Sequence, residues 1–141
     1  MEKPIQSLSQ FQEAFGAWKK SVTPPEVFTP QREQARSLQE EAELSFELAV
    51  YNGSPESKRK VAEEACDVIF GKLGIIESVG FNLSELINAK MEIILEKYPV
   101  DKVKKYQAMG WSHEQVMEQC KKDWDEKHKK KPGDARRYWV N

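Results

Sequence analysis

Two hydroxyl–proline pairs, Thr29-Pro30 and Ser54-Pro55, each open a long stretch with no further proline. A Ser or Thr at the N-cap followed by Pro at the first helical position is a strong local start signal for an α-helix, because the hydroxyl takes an orphan N–H and proline needs none. The pairs therefore predict two long helices in succession. The first runs from Thr29-Pro30 toward Asn52-Gly53, and the second from Ser54-Pro55 to about Val79, where Gly80 ends it. Three further starts follow the same logic. Ser7 with Gln10 opens a short helix through about Lys19, Asn82 with Glu85 opens one that ends near Tyr98-Pro99, and Ser112 with Gln115 opens one to about His128. Between Val22 and Phe28 the prolines at 24 and 25 predict a loop.

No segment alternates apolar and polar residues with β-branched enrichment, so strand content is expected to be near zero. The fold class expected is all-α, an antiparallel four-helix-type bundle in which helices pair as hairpins. In the second helix Ala35, Leu38, Ala42, Phe46 and Ala49 form the apolar face. In the third, Val61, Ala65, Val68, Phe70, Leu73, Ile75 and Ile76 cover more than one stripe. A helix that is apolar on several sides is buried on several sides. In so short a chain this predicts completion of the bundle by a second copy, as a homodimer or a dimer of dimers.

Charged residues make up 32% of the 141 and net charge is −1, so nothing global points to nucleic acid or a membrane surface. There is no apolar run long enough to span a bilayer, and Met1-Glu2-Lys3-Pro4 lacks the apolar core of a signal peptide. A cytoplasmic setting is the expectation. Cys66 and Cys120 form no CxxC pair and read as reduced thiols. With His113 and His128 as the two histidines, neither a zinc site nor a histidine-based triad has support. From Asp101 to Asn141 the balance turns basic, with eleven Lys and Arg against seven Asp and Glu. The expected organisation is a domain over residues 1–100 and a basic helical C-terminal extension over 101–141.

The chemistry lies in the acids. At 100° per residue Glu40, Glu43 and Glu47 fall on one stripe of the second helix, and Glu64 and Asp67 are an i, i+3 pair on the next. Packed antiparallel, the helices would bring four carboxylates, Glu40, Glu43, Glu64 and Asp67, to their contact. Like charges and desolvation both oppose that arrangement. A hard divalent cation offsets both, and oxygen-only ligands favour Mg²⁺ or Mn²⁺ over zinc. Acids on a helix are, by contrast, ordinarily a solvated face; the weight here comes from two pairs on consecutive helices.

Gln39-Glu40-Glu41-Ala42-Glu43 followed by Glu64-Ala65-Cys66-Asp67-Val68-Ile69-Phe70 resembles the acidic signature of the all-α nucleoside triphosphate pyrophosphohydrolases, the MazG-like group. Leu8 to Gly16 is similar to the first helix of the phosphoribosyl-ATP-pyrophosphohydrolase-like branch. Ser78 to Leu86, Ala89 to Glu92 and Lys97-Tyr98-Pro99 resemble the turn and fourth helix. The likeness covers roughly Leu8 to Pro99. Gln39 stands where the family carries Glu, and Ile94 stands near a position where many relatives carry Asn.

This resemblance implies Mg²⁺- or Mn²⁺-dependent hydrolysis of a (deoxy)nucleoside triphosphate, a purine deoxynucleotide among the options, to monophosphate and pyrophosphate. The cellular role it implies is nucleotide-pool control or house-cleaning. Glu40, Glu43, Glu64 and Asp67 would be the metal ligands, and Glu40 or Glu43 would orient or deprotonate the attacking water. Lys90 and Lys97 would hold the pyrophosphate, with Lys60 and Lys72 as weaker phosphate candidates. Glu47 would be a further ligand or support one, and Trp18, with Phe11 and Phe15, would stack the base or fill the core. The mid-helix glycines Gly71 and Gly74, each costing roughly 1 kcal/mol against Ala, ask for close helix approach or room for substrate. Arg136-Arg137-Tyr138-Trp139 would close over a triphosphate or bind a neighbouring subunit. Two alternatives stand beside this reading: phosphoribosyl-ATP hydrolysis, and a non-catalytic helical interaction module.

Overall fold

Every start signal that a hydroxyl side chain supplies is used as a cap. In the computed structural model, which describes residues 4–128, the Ser7 hydroxyl accepts from the Gln10 N–H at 3.1 Å and opens α1, Leu8–Val22. Thr29 caps α2, Pro30–Ala49, through the Arg32 N–H, and Ser54 caps α3, Pro55–Ser78, through the Ser57 N–H. The remaining helices are α4, Leu83–Lys97, α5, Val100–Ala108, and α6, His113–Lys127. Ser112 and Gln115 close a reciprocal capping box at the head of α6. Among the described residues there is no strand, and no helix is long and apolar enough to cross a membrane.

Three local expectations shift. Helix α1 continues a turn beyond Lys19, and the loop after it contains a single 3-10 turn, Pro25–Val27. Helix α2 stops at Ala49, several residues before Gly53. Helix α5 has no side-chain cap. Pro99 in extended conformation introduces it, and Gly110, at φ +81, is the turn beyond its end. The tail motif Arg136 to Trp139 lies outside the described residues.

The described residues fall into two compact units that meet between Ser84 and Glu85, at the head of α4, earlier than the change in charge near residue 100. In the first unit α2 packs along α3, and α1 also meets α3. The contact is unusually polar. Helix α1 buries Gln12, Gly16 and Lys19, and α2 buries Glu33 and Ser37. The Gln12 amide bridges the turn after α3, donating to the Phe81 carbonyl at 2.7 Å and accepting from the Leu83 N–H at 2.6 Å. Lys19 and Glu33 form an ion pair at 2.9 Å with side chains 5% and 4% exposed.

The glycines of α3 make this contact close. A Cβ at position 71 would stand 3.0 Å from the Ser37 hydroxyl, and one at 74 would stand 2.5 Å from a Glu33 carboxylate oxygen. Any larger residue at position 74 would force the Glu33 carboxylate of the buried pair to shift.

The apolar face of α2 is not the one used inside the chain. Leu38 is 54% exposed and Phe46 64%, and Ala35, Ala42 and Ala49 are exposed with them. The reason is geometric: α2 approaches α3 through Glu33, Ser37 and the half-buried Glu40, Glu41, Leu44 and Glu47, so its apolar stripe turns outward. On α3 Leu73 is buried and Val61, Ala65, Val68, Ile75 and Ile76 are half-buried, whereas Ile69 and Phe70 are exposed.

The second unit has a more conventional interior. Helices α5 and α6 pair, and α6 buries Val116, Cys120 and Trp124 at helical spacing. Tyr106 stacks on Trp111 with centroids 4.6 Å apart. The Lys102 ammonium pairs with Asp123, which also accepts from Gln119 at 2.9 Å and Tyr106 at 3.2 Å. The Lys102 contact, then the Gln119 amide, holds the Asp123 carboxyl below its ordinary value.

Candidate functional site

The face that α2 presents to α3 carries acids one turn apart, and α3 answers with its own. Glu40, Glu43 and Glu64 each bring a carboxylate oxygen to within 4.8 Å of the others. Glu40 and Glu64 are half-buried and Glu43 is exposed. The Gln39 side-chain amide donates to Glu43 at 3.4 Å, a long contact that tethers one arm of the cluster. One oxygen of Glu64, Oε2, is shut off from solvent and has no hydrogen-bond partner. A buried acceptor without a donor is costly, so that oxygen marks a place where the cluster lacks positive charge.

The electrostatics agree. Desolvation, then the Glu43 and Asp67 carboxylates, raises the Glu40 carboxyl above its ordinary value, with Glu64 adding to the effect. Desolvation, then Glu43, Asp67 and Glu47, does the same to Glu64. Glu43 contributes to the shift of both, so it is the shared neighbour of the two raised carboxyls. Asp67 is exposed and stands outside the tightest group, yet its charge acts on both half-buried acids. Glu47 acts on Glu64 alone of the two.

A cleft of about 200 Å³ adjoins the acids and is lined by Phe15, Trp18, Lys19, Glu33, Arg36, Glu40, Asp67, Phe70 and Gly71. Phe15 bridges Trp18 and Phe70, with centroids 5.9 Å from each, and Phe11 meets Phe70 edge-on at 5.1 Å. Phe11 and Phe15 are half-buried, so they fill the contact between α1 and α3. Trp18, at 55% exposed, is a wall of the cleft rather than core. Sequence reasoning did not single out Arg36. Its position one turn before Glu40 on the same helix face was the available signal.

The lysines divide. Lys72 is held by Glu41 at 2.6 Å and by Gln34 at 3.2 Å. Lys60 pairs with Glu56 at 3.5 Å near the head of α3. Lys90 and Lys97 lie on α4 within the second unit, and the Lys97 ammonium sits 5.6 Å from the centre of the Tyr98 ring. No protein-family model, curated protein or solved structure matches this chain.

Proposed function

We propose that the first unit is a Mg²⁺- or Mn²⁺-dependent hydrolase that cleaves a (deoxy)nucleoside triphosphate to the monophosphate and pyrophosphate. This is the activity of the MazG-like group that the acidic motifs resemble. One observation carries the reading: three carboxylates from two helices converge within 4.8 Å, and one of them, Glu40, also lines a cleft walled by aromatic side chains. The first feature suits a hard cation and the second a flat heterocycle, and a metal-bound nucleotide joins the two.

The donor set fits the cation. All groups are oxygen, two carboxyls are raised by desolvation and then by the neighbouring carboxylates, and Glu64 Oε2 is an orphaned acceptor. Glu40, Glu43, Glu64 and Asp67 would hold it. The cation supplies counter-charge for the polyphosphate and acidifies water. Of the chain's own groups, Glu40 or Glu43 would orient the attacking water and take its proton, since both belong to the converging carboxylates. At Glu40 and Glu64 the half-buried setting strengthens these interactions by limiting contact with bulk water.

The test is pyrophosphate release from eight NTPs and dNTPs, with Mg²⁺, with Mn²⁺ and with chelator. Release that requires the metal is the expected result. Absence of release from all eight, and from phosphoribosyl-ATP as a ninth substrate, would overturn the proposal.

We also propose that the active form is a homodimer or a dimer of dimers. Leu73 is the single fully buried apolar side chain of the first unit among the described residues. A unit of that size with so little apolar burial lacks the driving force that sustains a folded monomer. The outward face of Leu38 and Phe46 supplies what is missing. Phe46→Glu is expected to drive the protein to monomer in light scattering at micromolar concentration and to lower its melting temperature. A wild-type monomer at that concentration would contradict the proposal.

A further inference from the structure

Two cations line the cleft beside the acids, and they are not equivalent. Lys19 is buried, and its ammonium is engaged by Glu33 at 2.9 Å. Arg36 is exposed and forms no ion pair among the described residues, although Glu40 stands one turn further along α2. A guanidinium beside a cluster of carboxylates ordinarily takes one of them. Here it lines the cleft instead, with its donors available.

The lining of the cleft combines the carboxylates Glu40 and Asp67 with the aromatic rings of Phe15, Trp18 and Phe70. Arg36 and Glu40 are separated by about 6 Å of helix rise. A nucleotide whose phosphates lie at the carboxylates would place its base in the aromatic part. Trp18, more than half accessible and backed by Phe15, is suited to stacking there. We propose that the base of the substrate lies in this cleft against Trp18, and that Arg36 reads it as guanine. The inference rests on the nucleotide reading above and adds the base.

The chemistry of the choice is directional. Arginine carries five N–H donors in a planar fork and no acceptor. Guanine offers N7 and O6 as two adjacent acceptors that match the fork. Adenine keeps N7 but turns an amino donor toward the second arm. A single bidentate contact of this kind is worth about tenfold or more in discrimination. The engaged Lys19 leaves Arg36 as the group that can make it.

The experiment compares kcat and KM for GTP, dGTP, ATP and dATP in the wild type, Arg36→Ala and Arg36→Lys. The wild type is expected to favour the guanine nucleotides by about tenfold or more in kcat/KM. Arg36→Ala should bring the ratio near one, mainly through KM for the guanine substrates. Arg36→Lys should not restore it, because a point ammonium lacks the fork. Equal loss on guanine and adenine substrates would make Arg36 a phosphate contact and overturn the inference, as would a wild type with no guanine preference. Binding without chemistry separates this inference from the hydrolysis reading. GMP, without metal, should quench tryptophan fluorescence saturably and more tightly than AMP. The quench should weaken in Arg36→Ala and disappear in Trp18→Phe. Pyrophosphate release without that base dependence, or no GMP quench at all, would sink the base assignment. A GMP quench without release would sink only the hydrolysis.

Discussion

Glu64→Gln is expected to raise the melting temperature of the metal-free protein and, in the same variant, to lower metal-dependent pyrophosphate release on the order of 10²-fold or more. The two effects have one cause. Glu64 is raised by desolvation and by Glu43, Asp67 and Glu47, so its charge opposes the folded state when no cation is present. Glutamine removes the charge, keeps the shape, and gives the Glu43 carboxylate a donor. The sign with pH follows. A carboxyl held above its unfolded value binds its proton more tightly in the folded state. The associated stability is therefore complete below the ordinary glutamate range and is lost as pH rises from that range through the raised values of Glu40 and Glu64. Metal-free wild type should lose melting temperature across that window, and Glu64→Gln should lose less. Saturating Mg²⁺ should restore the wild type at neutral pH, because a ligand bound only to the folded state stabilises it, and should do little for the variant. Thermal scans with and without chelator read all four combinations. A variant less stable than wild type without metal would mean that Glu64 has a structural partner, and the cluster would then not be a cation site.

The second large effect lies at the buried ion pair. Glu33→Ala should cost about 3–5 kcal/mol, since it leaves the Lys19 ammonium, 5% exposed, without its partner at 2.9 Å. That is a large part of the roughly 5–15 kcal/mol that holds a domain folded. Replacing both members, Lys19→Met with Glu33→Leu, should be far milder, because it removes two desolvation costs together with one attraction. Gly74→Ala should destabilise in the same direction as Glu33→Ala but by less, since its methyl group would stand 2.5 Å from a Glu33 carboxylate oxygen and force that side chain to shift. Urea unfolding of the four proteins measures this. If Glu33→Ala cost less than the double replacement, the pair would not be the buried contact described above.

Helix starts were legible because they are local. A hydroxyl and the N–H three residues on belong to one short stretch of chain, as at Ser7, Ser54 and Ser112. Helix α5 was not legible, because Pro99 gives it no side-chain cap and its length is only 9 residues. The acids at 40, 43 and 64 could be brought together on paper because i, i+3 spacing on two consecutive helices fixes their faces. The direction of the α2 apolar stripe could not. Periodicity names the face that avoids water, and it does not say whether the chain itself or a neighbour covers it. Lys19 and Glu33 were invisible for a related reason. Charged side chains are read as solvated, and their pairing depends on two helices meeting across a third.

Missing atoms at positions 71 and 74 set a gauge. Where α3 has no side chain, one turn and then a second beyond Asp67, Ser37 and the Glu33 carboxylate of α2 stand within 3.0 Å of where a Cβ would be. A side chain at either place would have to displace the group that faces it. Under the proposed reading, the ion this protein accepts is chosen there. Mg²⁺ asks for oxygens near 2.1 Å and Ca²⁺ for roughly 2.3–2.6 Å. That difference is smaller than the width of one methyl group, so under the same reading Gly71→Ala or Gly74→Ala is expected to alter the choice of ion.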